Sequence, residues 1–198
     1  MKFRSIIFAL LFVTSCSENI PKGDTVTFLV TSNVRGQLDP GGGKANPLGG
    51  LPRRATYINQ VRNSGINPIL IDAGDSMFEN YYLQKGKEAS AMLRAQTVMK
   101  YTSNMGDYYY NVGVQDLTAG LDFIQDIEKD NPVFFLSSNL LSSETSELLF
   151  KDHVILERNG LKVGIFGVTR EIQLDMVGVK TSDYVETAKR KIAQLRPQ

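Results

Sequence analysis

An α/β fold built on a parallel sheet is predicted by three features of this 198-residue sequence. Short β-rich runs alternate with helical patterns, most of those runs are near-continuous apolar stretches, and turn-forming loops follow them. Strands buried in βαβ units have this appearance, because both faces of the sheet must be covered.

Thr25 to Thr31 is rich in β-branched residues and forms the first predicted strand. Pro52 to Asn63 opens with a proline suited to a first helical turn and is read as a helix. Pro68 to Asp72 contains the apolar run Ile69-Leu70-Ile71 and is the second strand; Glu88 to Tyr101, with three Ala and two Met, is the second helix. A strand at Tyr108 to Val112, a helix at Ala119 to Lys129 and a strand at Val133 to Ser137 continue the alternation. Aromatic residues at strand positions usually serve packing, so Tyr108-Tyr109-Tyr110 is expected in the core.

Asn159-Gly160, between Val154-Ile155-Leu156 and Leu161 to Val168, is a type I′ hairpin signal. Asp183 with Glu186 resembles a capping box opening a last helix, whose Val185, Ala188, Ile192 and Leu195 share one face. That helix reaches Pro197-Gln198, whereas a crossover helix normally delivers the chain into a further strand, so the sequence is expected to stop mid-fold. It contains no internal repeat and no low-complexity segment.

Hydrophobic residues make up 42% and charged residues 22%, an ordinary globular balance with enough chain for one domain. Ahead of it lie Lys2 and Arg4, the apolar run Ile6 to Val13, and Val13-Thr14-Ser15-Cys16. These read as the charged, hydrophobic and small-residue regions of an export signal over residues 1–15. The apolar run is too short to span a bilayer, which needs about 20 residues. Cys16, the only cysteine, stands where the lipoprotein signal places the acylated residue; a plain secretory signal with a chance cysteine is the alternative. After lipidation no thiol remains for disulfides.

Residues 16–24 would then form the lipidated cysteine and a polar Pro/Gly tether, with the folded domain over 25–198. The protein is expected outside the cytoplasm, held to a membrane by its lipid; Ser17 is compatible with outer-membrane sorting. Loss of Lys2 and Arg4 takes the formal net charge from +1 to −1, without the basic excess of a nucleic-acid binder. A small-molecule or protein partner is expected.

In α/β proteins ligands gather beyond the carboxyl ends of the strands. Three loops stand there: Thr31-Ser32-Asn33-Val34-Arg35-Gly36-Gln37-Leu38, Asp72-Ala73-Gly74-Asp75 and Gly113-Val114-Gln115-Asp116. In order and spacing they are similar to the Asn-Asp-x-His-Gly, Asp-x-Gly-Asp and Gly-Asn-His-Glu loops of the 5'-nucleotidase-like branch of the calcineurin-like metallophosphoesterases. Gly49-Gly50-Leu51-Pro52-Arg53-Arg54-Ala55-Thr56, Asn131-Pro132-Val133 and Lys162-Val163-Gly164-Ile165-Phe166-Gly167-Val168-Thr169 also resemble that family, so the likeness covers nearly all of 25–198.

The resemblance implies a layered sheet with flanking helices. It also implies hydrolysis of nucleotide phosphomonoesters by two divalent cations of the Mn, Zn or Mg class, about 3.5–4 Å apart, which polarise the ester and activate water. Carried over by position, Asp75 matches the carboxylate that bridges both cations. Asn33 stands for an Asp, Arg35 for a His, Val114 for an amide ligand and Gln115 for the His that stabilises the transition state. Val114 has no side-chain lone pair, Asn33 no charge, and Arg35 a permanent positive charge that would repel a cation. The remaining family ligands are histidines further along, and His153 follows no such pattern. The resemblance therefore implies either a piece of a longer protein or a degenerate member, an impaired or inactive hydrolase, with a non-catalytic ligand-binding or scaffold lipoprotein on the same fold as the alternative.

Each residue also has a plainer reading. Asp75 can cap a turn, Arg35 can be solvated, Asp72 can be a turn residue, and Gly36, Gly74 and Gly113 can permit tight backbone paths. The sharper expectation for Arg35 is that it fills the space of the lost cation, pairing with Asp75 and Asp116 or facing an anionic ligand. Gly41-Gly42-Gly43 is read as a loop, since it lacks the strand-to-helix context of a phosphate cradle. Gly74-Asp75-Ser76 also resembles the nucleophile block of GDS-type esterases, but the expected Asp three residues before the histidine is Phe150 here.

Overall fold

The computed structural model of the protein describes residues 25–43, 45, 47–172 and 178–196. The export signal, Cys16, the tether to Asp24 and the terminal Pro197-Gln198 lie outside the described residues.

Four parallel strands form the central sheet in the order β1-β2-β3-β4: β1 (Phe28–Thr31), β2 (Ile69–Asp72), β3 (Tyr108–Asn111) and β4 (Val133–Leu136). Helices α1 (Leu51–Asn63), α2 (Glu88–Ser103) and α3 (Leu121–Asp130) are the connections between them. A sequential order of this kind, with right-handed crossovers, places all three helices on one face of the sheet. The main core lies there. Ile58 of α1, Val98 and Met99 of α2 and Ile124 and Ile127 of α3 pack with Leu70, Tyr108, Tyr110, Val133 and Phe135 of the strands.

The alternate strand residues point to the opposite face, as the period-2 pleat demands. There Ile69, Tyr109 and Leu136 meet Val154 and Ile165 of an antiparallel hairpin, β6 (His153–Arg158) and β7 (Leu161–Phe166). Its turn residues Asn159 (φ 52°) and Gly160 (φ 78°) are both left-handed, as type I′ geometry requires. The hairpin covers only part of this face, and Val30 on the edge strand β1 stays 61% exposed. The first strand is thus shorter and less buried than its composition suggests. Two three-residue strands not anticipated from the sequence, β5 (Leu140–Ser142) and β8 (Val179–Thr181), pair antiparallel beside the sheet.

The last helix, α4 (Tyr184–Leu195), is capped as expected: Asp183 Oδ1 accepts from Glu186 N at 2.8 Å. Its apolar stripe does not set the buried face. Val185 and Ile192 are exposed, while Thr187 and Lys191 are buried. The reason is electrostatic: Lys191 Nζ is bonded to the Asp152 carboxylate, which also holds His153 Nδ1. Burial works against ionisation of Asp152, but the bonds from Lys191 and His153 hold its carboxyl below the ordinary range.

A folded-state value below the unfolded one gives stability that is present above the unfolded pKa of 3.8 and lost as pH falls through the folded value. Urea unfolding followed below about pH 4 should show this acid-side loss, and Asp152→Asn should flatten it. An identical acid slope in the variant would exclude Asp152 as its source.

Among the described residues no helix is long and apolar enough to cross a membrane.

Candidate functional site

Thr31, Asp72 and Tyr110 are register partners across β1, β2 and β3, so the first three loops leave the sheet at one level. Backbone bonds then zip the first loop to the second. Asn33 N donates to Gly74 O (2.9 Å), Arg35 N to Asp75 O (3.2 Å) and Gly36 N to Ser76 O (2.8 Å). Such a ladder needs unusual dihedrals: Asn33 (φ 51°), Arg35 (φ 52°) and Asp75 (φ 56°) are all left-handed without being glycine. Asn and Asp tolerate that region, whereas a long side chain such as Arg adopts it at a cost of about 1–2 kcal/mol. The strain is concentrated where the loops meet.

The third loop is fastened to the second by Asp116. Its Oδ2 accepts from Asp75 N (2.9 Å) and Gly113 N (2.9 Å), and its Oδ1 from Ser76 N (3.0 Å), Met77 N (3.1 Å) and Tyr110 Oη (2.8 Å). Burial lifts this carboxyl to about 7, against the lowering pull of Gly113, Tyr110 and Met77. With five donors aimed at two oxygens, an acid proton would have to displace one of these bonds; we take the carboxylate as the form that holds the loops.

Asp116, which the sequence offers as a partner for Arg35 or a ligand, neither pairs with Arg35 nor reaches the surface. The residue is 0% exposed and both oxygens are committed to the protein itself.

Asp75 sits at the junction, half-buried, with Oδ1 accepting from Gln115 N at 2.8 Å. Gly113 is packed so closely that a Cβ there would lie 2.2 Å from Asp75 Oδ1. The convergence of the three loops on Asp75 is thus direct contact.

Arg35 does not join it. Its side chain is exposed and makes no ion pair with Asp75 or Asp116, because the backbone bond to Asp75 O and the left-handed φ leave the guanidinium in solvent. Arg35→Ala should accordingly shift stability by less than about 0.5 kcal/mol. A clear fall in melting temperature would reveal a partner that this geometry lacks.

The other substituted positions are equally distinct. Asn33 is exposed and its side-chain Nδ2 donates to Ser32 Oγ (3.4 Å), while Val114 is buried. Gln115 is 1% exposed; its Nε2 donates to Glu79 O (3.0 Å) and its Oε1 has no partner. Asn111 Oδ1 is likewise buried and unpartnered.

These orphaned atoms are neutral amide oxygens, which donate lone pairs but offset no cation charge. Among the described residues no group of three or more His, Cys, Asp or Glu side chains is positioned to hold a metal ion. The residues present do not fit a two-cation centre.

Asp72 is a turn residue, as anticipated. Its Oδ1 accepts from Gly74 N (2.9 Å), and its carboxylate also takes Thr31 Oγ1 (2.7 Å) and Ser76 Oγ (2.9 Å). Burial raises its pKa while these donors and Arg54 lower it.

The same bonds remove the esterase reading: Ser76 is 0% exposed, its hydroxyl bonds Asp72, and His153 bonds Asp152 elsewhere. A nucleophile needs a base and access, and Ser76 has neither.

Two supports went unread in the sequence. Tyr110 anchors Asp116 and also accepts from Ser76 N (3.1 Å), and Arg54 lies over the Tyr108 ring, bonded to Thr102 and 3.8 Å from Asp72. The spacing Leu51, Arg54, Ile58 already placed Arg54 on the inward face of α1.

No family model matches the chain. A 2',3'-cyclic-nucleotide 2'-phosphodiesterase/3'-nucleotidase of Yersinia enterocolitica is 26% identical over 168 residues, covering 75% of this chain and 25% of that protein. A 5'-nucleotidase of Diplobatis ommata is 31% identical over 179 residues, covering 83% of this chain and 29% of that protein. The crystal structure of a 5'-nucleotidase precursor from Thermus thermophilus superposes with a TM-score of 0.63 at 26% identity, over 87% of this chain and 34% of that one.

The chain belongs to the 5'-nucleotidase-like branch of the calcineurin-like metallophosphoesterases. It spans between a quarter and about a third of the length of these relatives. Among the described residues of this member of the branch, the zipped loops and the Asp116 clamp are present without a cluster of three or more His, Cys, Asp or Glu side chains.

Proposed function

We propose that this chain is an exported, lipid-anchored member of the 5'-nucleotidase-like metallophosphoesterases that engages nucleotides or other phosphate-bearing small molecules with its hydrolytic activity impaired or lost. Residues 1–15 would be the export signal, Cys16 the acylated anchor, 16–24 the tether and 25–198 the phosphoesterase-like domain. Relatives named as nucleotidases and as a cyclic-nucleotide phosphodiesterase support the ligand class.

The observation that carries the loss of activity is the state of the convergent loops. Asp75 is their one half-buried carboxylate in a matched position, the other matched positions being Asn33, Arg35, Val114 and Gln115, and the neighbouring Asp116 is wholly engaged by protein donors. A cation there would meet one negative charge where hard cations ordinarily require several oxygen ligands.

Purified protein assayed with 5'-AMP, 3'-AMP and 2',3'-cyclic AMP in added manganese or zinc should release no phosphate from the monoesters and open none of the cyclic diester above a heat-inactivated control. Turnover that scales with the added metal would overturn this reading and favour an active hydrolase. For the anchor, Cys16→Ser should release the protein from the membrane fraction and abolish labelling by a fatty-acid probe; continued labelling would remove the proposal.

A further inference from the structure

Beside the convergent loops lies a second concave feature that the family comparison leaves unexplained. A cavity of about 150 Å³ opens between the segment after Asp75 and the first two turns of α2. Met77 and Phe78 form its buried floor, and Glu79, Asn80, Tyr82, Lys87, Ser90 and Arg94 are among its walls.

The segment bearing this floor is held from three directions. Gly36 N bonds Ser76 O (2.8 Å) from the first loop. Gln115 Nε2 and Thr118 Oγ1 bond Glu79 O (3.0 Å) and Asn80 O (2.8 Å) from the third. Arg170 Nη2 donates to Tyr81 Oη (2.9 Å) from the stretch after β7. The cavity is therefore pre-formed, which lowers the ordering cost of binding.

Its charge is unbalanced. Lys87 and Arg94 both line it, and among the described residues neither side chain makes a hydrogen bond or an ion pair. Glu79 is the one carboxylate in the lining, and it is exposed. The Arg94 stem is seated by the first loop: a Cβ on Gly36 would lie 3.0 Å from Arg94 Cδ, so glycine there leaves room for the arginine. Ser90 and Asn80 add neutral hydrogen-bonding groups. Two unpaired cations, one able to grip two oxygens at once, over a small braced polar cavity suit a compact oxyanion with several equivalent oxygens.

We propose that this cavity is an anion subsite for a phosphoryl group, bound by Arg94 and Lys87 without any metal ion. The site deepens the phosphate-ligand reading above and rests on it for the choice of nucleotide as a probe, but it makes no use of Asp75 and needs no catalysis.

The test is calorimetric titration of the full-length protein in chelator with inorganic phosphate, AMP and adenosine. Saturable binding of phosphate or AMP, with none of adenosine, is expected. Phosphate binding alone would assign the subsite to the free ion, and AMP binding alone to the nucleotide. Arg94→Ala and Lys87→Ala should each weaken the binding about tenfold or more, and Arg94→Lys should lose less than Arg94→Ala. Melting temperatures of these variants should match the parent, since both side chains are exposed.

No saturable binding of either phosphate ligand, equal affinity in the parent and both alanine variants, or binding of adenosine as tight as that of AMP would overturn the proposal. Because these titrations exclude metal and read no turnover, their failure is distinguishable from failure of the impaired-hydrolase reading, which appears as metal-dependent phosphate release.

Discussion

Asp116→Ala is expected to lower the unfolding free energy by about 4 kcal/mol or more, the largest loss for any single polar side chain in this protein. The substitution strips the acceptor from four backbone N–H groups and the Tyr110 hydroxyl, all near the buried junction of the loops. An orphaned buried donor costs about 1–3 kcal/mol, and only part of the cost is recovered when water enters the vacated space. Asp116→Asn keeps one acceptor oxygen of similar placement but turns an amide N–H₂ toward two donors, so its loss should be smaller and still clear. Urea unfolding monitored by circular dichroism measures both. A change below about 1 kcal/mol for the alanine variant would mean that Asp116 does not hold the loops together.

Gly74→Ala should be nearly as damaging for a different reason. Gly74 has φ 100°, a conformation closed to other residues without strain, and a Cβ there would lie 2.6 Å from Asn111 O and 2.9 Å from Gly113 N. Backbone atoms of β3 and the third loop cannot yield as a flexible side chain would, so the second loop must move and the bonds from Asn33 N and to Asp116 are lost with it. A loss of about 3 kcal/mol is expected.

Gly43→Ala is the control. It carries the same sign of φ (75°) with nothing among the described residues within 4 Å of the new Cβ, so strain alone should cost about 1 kcal/mol. Equal losses at the two positions would show that crowding at the loop junction contributes nothing.

Asp116 and Gly74 also mark how far the sequence could be read. The alternation of apolar strands and helical patterns was legible because burial on both faces of a parallel sheet leaves a strong periodic imprint. The hairpin was legible because Asn159-Gly160 is one of the few pairs that readily take two left-handed positions in a row. Strands β5 and β8 were not, since three residues carry no period.

The buried face of α4 was misread because a lysine, normally a solvent residue, is drawn in by Asp152, and pattern reasoning ranks Ile192 above Lys191.

At the site, the meeting of the loops on Asp75 followed from strand-end positions and motif order. The role of Asp116 did not, because an aspartate that accepts backbone N–H groups and one that faces a ligand are the same letter. Only the positions of Gly113 N, Asp75 N, Ser76 N and Met77 N tell them apart. The backbone ladder that turns Arg35 outward is equally invisible in side-chain chemistry.

If the charge constellation is lost, as proposed, the protein should hold no cation pair, and metal stoichiometry addresses that directly. Full-length protein loaded with manganese or zinc, dialysed against metal-free buffer and analysed by plasma mass spectrometry should retain far less than one equivalent of either metal. Retention near two equivalents, released on replacing Asp75 with alanine, would show that the loops assemble a cation pair after all and would contradict the loss of the site.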